Sequence, residues 1–199
     1  MMATAQRLAG VLMRMLLVTP FAAALLAHGD HVDTVVRYPL ADSDFPIAAA
    51  VEVPAGRALV FLSGAVPPVV DAVAAKDSVL AYGDTRTQTV GVLSALGKQL
   101  EAMHLSLGDV VKMQVFLVGD ERHGGRMDVD GFMAGYTQFF GTRAQPHLPA
   151  RSAFQVAALG NPGYRVEIEV IAVRPAPCTE HCGAVREQRS PREVSAVPL

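Results

Sequence analysis

Apolar and polar residues alternate along two stretches near the C-terminal end of the chain, 149–156 and 164–174, with the turn-rich break 160–163 between them. A period of two is typical of a β-strand with one buried face, so each stretch is predicted to be a strand. In the second stretch the even-numbered residues form an apolar face: Val166, Ile168, Val170 and Ala172. The opposite face carries the carboxylates of Glu167 and Glu169.

The first of these strands carries Arg151, so we expect a guanidinium and two carboxylates on neighbouring strands. A planar guanidinium can grip a ligand carboxylate through two parallel hydrogen bonds, which makes Arg151 a candidate binding residue. The same residues are also typical of a cross-strand ion pair on a solvated face. The pattern leaves both interpretations open, and it does not choose between Glu167 and Glu169.

Two further strands are predicted at 47–53 and 58–63, joined as a hairpin by the turn residues 54–57. The second strand stops sharply at Ser63 and Gly64. A glycine at this point lets the backbone approach a ligand closely, although Ser-Gly at a strand end is also an ordinary turn.

Helical spacing begins after Asp84, a suitable N-cap for a helix over 85–103. Its buried face is predicted from residues three and four apart: Val90, Leu93, Gly97, Leu100 and Met103. His104 then stands where a left-handed cap residue is expected. A second helix is predicted from Asp128 to Gly141, with an aromatic stripe that we interpret as core: Phe132, Tyr136, Phe139 and Phe140.

The apolar stretch 110–118 is predicted to be a central strand. The order strand, strand, helix, strand, helix, strand, strand indicates an α+β fold, a single sheet covered on one face by two helices. The uncovered face carries apolar residues, so we expect a homo-oligomer. A chain of 199 residues accommodates one such domain with appendages. Its net charge of -2, with no long basic run, argues against nucleic-acid binding.

The N-terminus has the layout of a secretory signal. Arg7 and Arg14 precede an uncharged run that ends at Ala27, and a polar segment starts at His28. Cleavage is expected near Ala27. The cleaved protein is then expected in the periplasm or outside the cell, with no stable membrane span. Without cleavage, the protein is expected in the cytoplasm. The alternatives are a buried helix or a membrane anchor, but an anchor of about 20 apolar residues would have to include Arg14.

The two cysteines, Cys178 and Cys182, lie in the tail on either side of His181. Three interpretations stay open: a small disulfide loop in an oxidising compartment, half of a zinc site, or two thiols on a flexible tail. We predict no metal site, because one such cluster does not supply four well-placed ligands.

Five short motifs, in this order along about residues 45–174, resemble the RidA (YjgF-type) family of enamine/imine deaminases. They are Ser63-Gly64-x-x-Pro67, Leu107-Gly108-Asp109-Val110-Val111-Lys112, Tyr136-x-x-Phe139-Phe140, Pro149-Ala150-Arg151-Ser152 and Val166-Glu167-Ile168-Glu169-x-Ile171-Ala172-Val173. The last two motifs together are the most specific. We therefore divide the chain into a signal peptide 1–27, a lead-in segment 28–44, a RidA-like domain 45–175 and a flexible tail 176–199.

The resemblance implies a chorismate-mutase-like fold that assembles as a homotrimer with active-site clefts between subunits. It implies that Arg151 holds the substrate carboxylate, that Glu167 positions the attacking water, and that Ser63 and Gly64 line the cleft; Ser152 and Ala153 are further expected contacts. The implied reaction is hydrolysis of a small 2-imino acid, the tautomer of an enamine such as 2-aminoacrylate, to a 2-keto acid and ammonia. No metal or organic cofactor is implied. An imine is already electrophilic, so the protein needs mainly to position it and to steer a water.

The sequence departs from the best-known members of that family at several positions. Ala153 stands where a cysteine is often found, Met133 replaces an asparagine, no tyrosine lies near Ala50, and the loop 119–127 is longer than usual. These changes leave the carboxylate grip intact and favour a larger or more apolar ligand. The usual enamine sources are cytoplasmic pyridoxal-phosphate enzymes, so an exported relative suggests an alternative function: non-catalytic binding of a small carboxylate metabolite in the same cleft.

Overall fold

The computed structural model describes residues 34–176; the predicted signal peptide and both cysteines lie outside that range. Within it are six strands: β1 Val36–Pro39, β2 Ala48–Glu52, β3 Leu59–Ala65, β4 Val110–Val118, β5 Ala150–Val156 and β6 Val166–Val173. The same range holds two α-helices, α1 Thr85–Ala102 and α2 Val129–Tyr136. No helix between residues 34 and 176 combines the length and the apolar character needed to cross a membrane.

The strands form one sheet in the order β1-β2-β5-β4-β6-β3. The strand β5 runs parallel to both β4 and β2, whereas the other pairings are antiparallel. The strand β4 lies between β5 and β6, as its apolar sequence predicted. Its position at the centre makes it the reference for deciding which side chains share a face.

Alternation along the strands gives the sheet two different faces. The face turned towards the helices is buried: Met113, Val115, Leu117, Val166, Ile168, Val170 and Ala172. These residues pack against α1 and α2 through Leu93, Leu96, Leu100, Phe132 and Tyr136. The opposite face, called the open face below, carries partly exposed residues: Lys112, Gln114, Phe116, Glu167, Glu169 and Ile171. The prediction of an α+β fold with one sheet and two helices is confirmed.

Both helices begin where they were predicted to begin, and α1 has the predicted cap. The Asp84 carboxylate accepts a hydrogen bond from the Thr87 N–H, and Asp128 accepts one from the Gly131 N–H, each at 2.8 Å. His104 has a φ of 58°, the left-handed cap conformation that its position predicted. The helix α2 ends at Tyr136, earlier than predicted, and the chain continues in turns in which the N–H groups of Phe139 and Phe140 both donate to the Tyr136 carbonyl.

The predicted hairpin of the second and third strands is wrong. The strand β2 pairs with β1 and β5, and β3 pairs with β6 instead. The turn at 54–57 ends one strand and starts another, but turn residues do not decide which partner a strand finds in the sheet. The edge strand β1, inside the lead-in segment, was not predicted. It is held by Arg37, whose guanidinium donates to the carbonyls of Gly108, Val110 and Leu148.

The buried face of α1 is rotated relative to the predicted one, and it includes polar residues. Gln88 is fully buried, donates to the carbonyls of Gly83 and Gly163, and accepts from the Arg165 N–H. Thr89 is equally buried and donates to the Thr85 carbonyl. Burying a polar side chain costs little free energy when its hydrogen bonds are made. Such residues can therefore lie on a buried face that the spacing of apolar residues does not predict.

Candidate functional site

Arg151 lies on the helix side of the sheet. In the parallel pairing of β5 with β4 it is registered with Met113, which is buried under the helices, and registered partners point to the same face. Its Cζ lies 4.2 Å from the ring centroid of Tyr136, 4.9 Å from that of Phe132 and 5.4 Å from that of Phe45. The guanidinium is therefore held by cation–π contacts, and we call Phe45, Phe132, Met133 and Tyr136 the Arg151 enclosure.

The guanidinium of Arg151 has hydrogen-bonding capacity to spare. Its Nη2 donates to the Met133 sulfur at 3.3 Å, a weak acceptor, and its buried Nη1 has no hydrogen-bond partner among residues 34–176. Burial lowers the pKa of Arg151, and the neighbouring Tyr136 acts in the opposite direction, but a guanidinium stays charged in proteins. Neither ion pair in the described part of the chain involves it. A partly buried charge with an unused donor is stabilised when an anion pairs with it.

Tyr136 supports this arrangement twice. Its ring lies against the guanidinium, and its hydroxyl donates to the Pro46 carbonyl at 3.0 Å. Pro46 follows Phe45 directly, so this bond anchors the segment that brings the Phe45 ring to Arg151. Burial raises the pKa of Tyr136 to about 12, which keeps the phenol a neutral donor at physiological pH.

Other predicted site residues meet on the open face. The pairing of β3 with β6 shifts register between Leu62 and Ala65, which places a bulge at Ser63 and Gly64. The Glu167 carboxylate lies directly over this bulge, because a Cβ added to Gly64 would collide with Glu167 Oε1. The missing side chain of Gly64 thus leaves the space in which the Glu167 carboxylate lies against the backbone.

Arg151 and Glu167 of one chain lie too far apart to share a small ligand. The strand β4 separates β5 from β6, so the prediction that the two residues lie on neighbouring strands is wrong. Arg151 is registered with Met113 on the helix side, and Glu167 is registered with Phe116 on the open face. Two strand spacings and a three-residue offset place their Cα atoms about 14 Å apart, with the side chains on opposite faces.

The residues that follow Arg151 alternate between the two faces. Ser152 is registered with Gln114 on the open face, where its hydroxyl lies 3.5 Å from the Lys112 ammonium nitrogen. Ala153 turns back towards the helices and packs against the core. The open face also has a depression of about 370 Å³ whose lining includes Ser63, Lys112, Gln114 and Glu169.

Sequence reasoning missed Phe45 and interpreted Phe132 and Tyr136 as core only. Both α2 aromatics are indeed buried, at 1% and 0% exposure, and they also form the platform under Arg151. Their i, i+4 spacing was a usable signal for one continuous aromatic surface. Phe45 contacts Arg151 from the connection between β1 and β2, and no local sequence pattern predicts such a contact.

Between residues 34 and 176, no group of three or more His, Cys, Asp or Glu side chains is placed to hold a metal ion. The cluster of Cys178, His181 and Cys182 lies outside that range, so its pairing stays a prediction.

Residues 44–174 match the protein family described as Endoribonuclease L-PSP. Protein HMF1 of Saccharomyces cerevisiae is 35% identical over 114 residues, which are 57% of this chain and 75% of the yeast protein. The 2-iminobutanoate/2-iminopropanoate deaminase of Rattus norvegicus is 36% identical over 95 residues, which are 48% of this chain and 61% of the rat protein.

One solved structure shows the same fold, and a second is similar in sequence. The Rid-family protein YyfB from Yersinia pestis has a TM-score of 0.51 at 23% identity, covering 70% of this chain and 96% of its own. TdcF of E. coli, solved with bound serine, is 32% identical with a TM-score of 0.46, covering 69% of this chain and 94% of its own. Because the family match covers more than half of the sequence, this chain belongs to the endoribonuclease L-PSP family, the YjgF/RidA group. The resemblance seen in the five motifs is thereby confirmed.

Proposed function

We propose that the protein hydrolyses small reactive 2-imino acids, the tautomers of enamines such as 2-aminoacrylate, to 2-keto acids and ammonia. One observation carries the proposal: Arg151 is a partly buried cation whose buried Nη1 has no hydrogen-bond partner among the described residues. A ligand carboxylate would satisfy that charge. The rat relative named as an imine deaminase supports the reaction class.

In the proposed mechanism, Arg151 binds the substrate carboxylate through Nη1 and Nη2, displacing the Met133 sulfur from Nη2. Fixing the carboxylate fixes the adjacent imine carbon, which is the atom to be attacked. The aromatic rings in contact with the guanidinium restrict its rotation, so the proposed site is organised before the substrate arrives.

Glu167 is the proposed base. A water oxygen bonds to the imine carbon while the Glu167 carboxylate accepts its proton, and that proton then passes to the nitrogen. The resulting carbinolamine loses ammonia and becomes the 2-keto acid, so one water is consumed for each ammonia released. The position of Glu167 over the Gly64 backbone favours it over Glu169 for this role.

The proposed site needs two copies of the chain, because Arg151 and Glu167 of one copy lie on opposite faces of the sheet. One copy would supply Arg151 and its enclosure, and a second would supply Ser63, Gly64 and Glu167. The strands β3 and β5 carry exposed apolar side chains, Phe61 at 72%, Phe154 at 47% and Leu59 at 44%, which favour burial against a partner. We propose the homotrimer that the resemblance implied, since closed symmetry would give equivalent clefts.

The test is 2-keto acid release from iminopropanoate, which an amino-acid oxidase generates in situ from alanine, with the full chain as catalyst. We expect Arg151→Ala to lose both turnover and binding of the product pyruvate. Glu167→Gln should lose turnover by about 100-fold or more and still bind pyruvate, because only the proton acceptor is removed. Glu169→Gln is the matched control and should stay active.

Binding of pyruvate through Arg151 without turnover by the wild-type chain would contradict the deaminase proposal. It would favour the alternative, a module that binds small carboxylate metabolites.

A further inference from the structure

The walls around Arg151 restrict what the rest of a bound carboxylate can be. Phe132 and Tyr136 are buried at 1% and 0% exposure, so they form the floor of the enclosure. Phe45 is 44% exposed, and Met133 is partly buried against the core. A ligand that approaches the guanidinium therefore meets an aromatic ring and a thioether.

Met133 lies where the ligand carboxylate must arrive. Its sulfur is 3.3 Å from Arg151 Nη2, one of the two nitrogens of the guanidinium fork, and Nη1 is the other. A bidentate carboxylate at this edge displaces the sulfur from Nη2 but leaves the side chain beside it. An unbranched thioether adapts its shape to an adjacent apolar group.

Phe45 is the second of these side chains, and the segment that carries it is anchored. The Tyr136 hydroxyl holds Pro46, and the Ala48 N–H donates to the Pro149 carbonyl, two residues before Arg151. The segment carrying Phe45 is thus tied to both α2 and the start of β5. This anchoring makes Phe45 a fixed wall.

We propose that Phe45 and Met133 determine specificity and select 2-imino monocarboxylates with apolar side chains, of the leucine type, over iminopropanoate and over dicarboxylates. The inference rests on the proposed function for the identity of the reacting group. A second carboxylate on the substrate would lose its hydration against the ring and the thioether, whereas a branched aliphatic chain gains contact there.

The experiment compares kcat/KM of the full chain for imino acids generated in situ from leucine, alanine and glutamate. We expect the leucine-derived substrate to be preferred over the alanine-derived one by about tenfold or more, since a few methylene contacts supply that discrimination. The glutamate-derived substrate should be the poorest. Met133→Asn and Phe45→Ala should each reduce the leucine preference by about tenfold, mainly through KM.

Two further variants separate a wall from a folding effect. Met133→Leu restores an apolar wall and should recover most of the preference lost in Met133→Asn. Val129→Asn places the same amide one turn earlier on α2, at a position that is 41% exposed, and should leave the kinetics unchanged. A wild-type preference for the alanine-derived substrate, or a leucine preference that survives Met133→Asn, would overturn the inference.

Binding measurements distinguish this inference from the proposed function. The keto acids 4-methyl-2-oxopentanoate, pyruvate and 2-oxoglutarate bind without needing turnover, and titration calorimetry gives their relative affinities. Selective binding of the first without any deamination would refute the proposed reaction and support the specificity. Deamination without selective binding would support the proposed reaction and refute the specificity. A chain that neither binds nor turns over these compounds would refute both the reaction and the specificity.

Discussion

Gly64 offers a sharp test of how Glu167 is positioned. An alanine at this position would place its Cβ in collision with Glu167 Oε1, so the carboxylate must move by roughly 1 Å or more to restore contact distance. The backbone itself accepts alanine, since Gly64 is not among the positive-φ glycines of the described range. The change therefore displaces a carboxylate without straining the chain.

The two effects of Gly64→Ala have different sizes. Moving the end of a partly exposed, flexible glutamate is expected to cost about 1 kcal/mol of stability or less. Misplacing a proton acceptor by about 1 Å costs about 100-fold in kcat, which corresponds to roughly 2.7 kcal/mol. We expect KM to change little, because the Arg151 enclosure is untouched.

The assay is steady-state keto acid release beside a thermal unfolding curve, with Gly160→Ala as the matched control. A Cβ at Gly160 meets no atom within 4 Å, so that variant should behave as wild type. A folded Gly64→Ala protein that keeps kcat within about threefold of wild type would refute the role of Glu167, since its carboxylate has then moved without consequence.

Three other predictions concern stability and processing. Because burial raises the pKa of Tyr136 to about 12 from its ordinary value of 10.0, the folded chain holds that proton more tightly than the unfolded chain does. This stabilisation is complete below pH 10 and is lost as the pH rises towards 12. In urea unfolding, the wild type should therefore lose about 1 kcal/mol of stability relative to Tyr136→Phe between pH 9 and pH 11. Stability profiles that run parallel for the two proteins would contradict this. Gln88→Leu leaves the Gly83 and Gly163 carbonyls and the Arg165 N–H without their hydrogen bonds, and it should cost about 3 kcal/mol of stability. The control Gln99→Leu, on the exposed side of α1, should cost little. Equal unfolding midpoints for the two variants would contradict this prediction. Cleavage near Ala27 should appear in the intact mass of protein recovered from the periplasm or the medium, and a full-length N-terminus would count against a cleaved signal.

Local features of the fold were predictable because short-range physics decides them. Residues next to one another in sequence decide the alternation in β6, the bounds of β4, the cap at Asp84 and the start of α2 beside Asp128. Pairing was not predictable in the same way. The insertion of β4 between β5 and β6 depends on contacts between distant segments, and it separates the strand of Arg151 from that of Glu167. The register of each strand with β4 places the two side chains on opposite faces.

The candidate site also has a part that the sequence predicted and a part that depends on the folded chain. The motifs made Arg151, Glu167 and Gly64 candidate site residues, because the resemblance assigns roles to individual positions of the sequence. The motifs did not reveal the surroundings of Arg151, since Phe45 and Tyr136 come together only after the chain has folded. The sequence showed that Met133 differs from the asparagine of the best-known family members, and the structure shows that its sulfur contacts Arg151 Nη2.

The central claim is that Arg151 of one copy and Glu167 of another act on one substrate. It can be tested by unfolding Arg151→Ala and Glu167→Gln, each inactive, and refolding them together in equal amounts. With random assembly, a cleft has both intact residues in about one quarter of cases, so the mixture should regain about 25% of wild-type turnover. A mixture that stays inactive, although its subunits have exchanged, would contradict a site shared between copies.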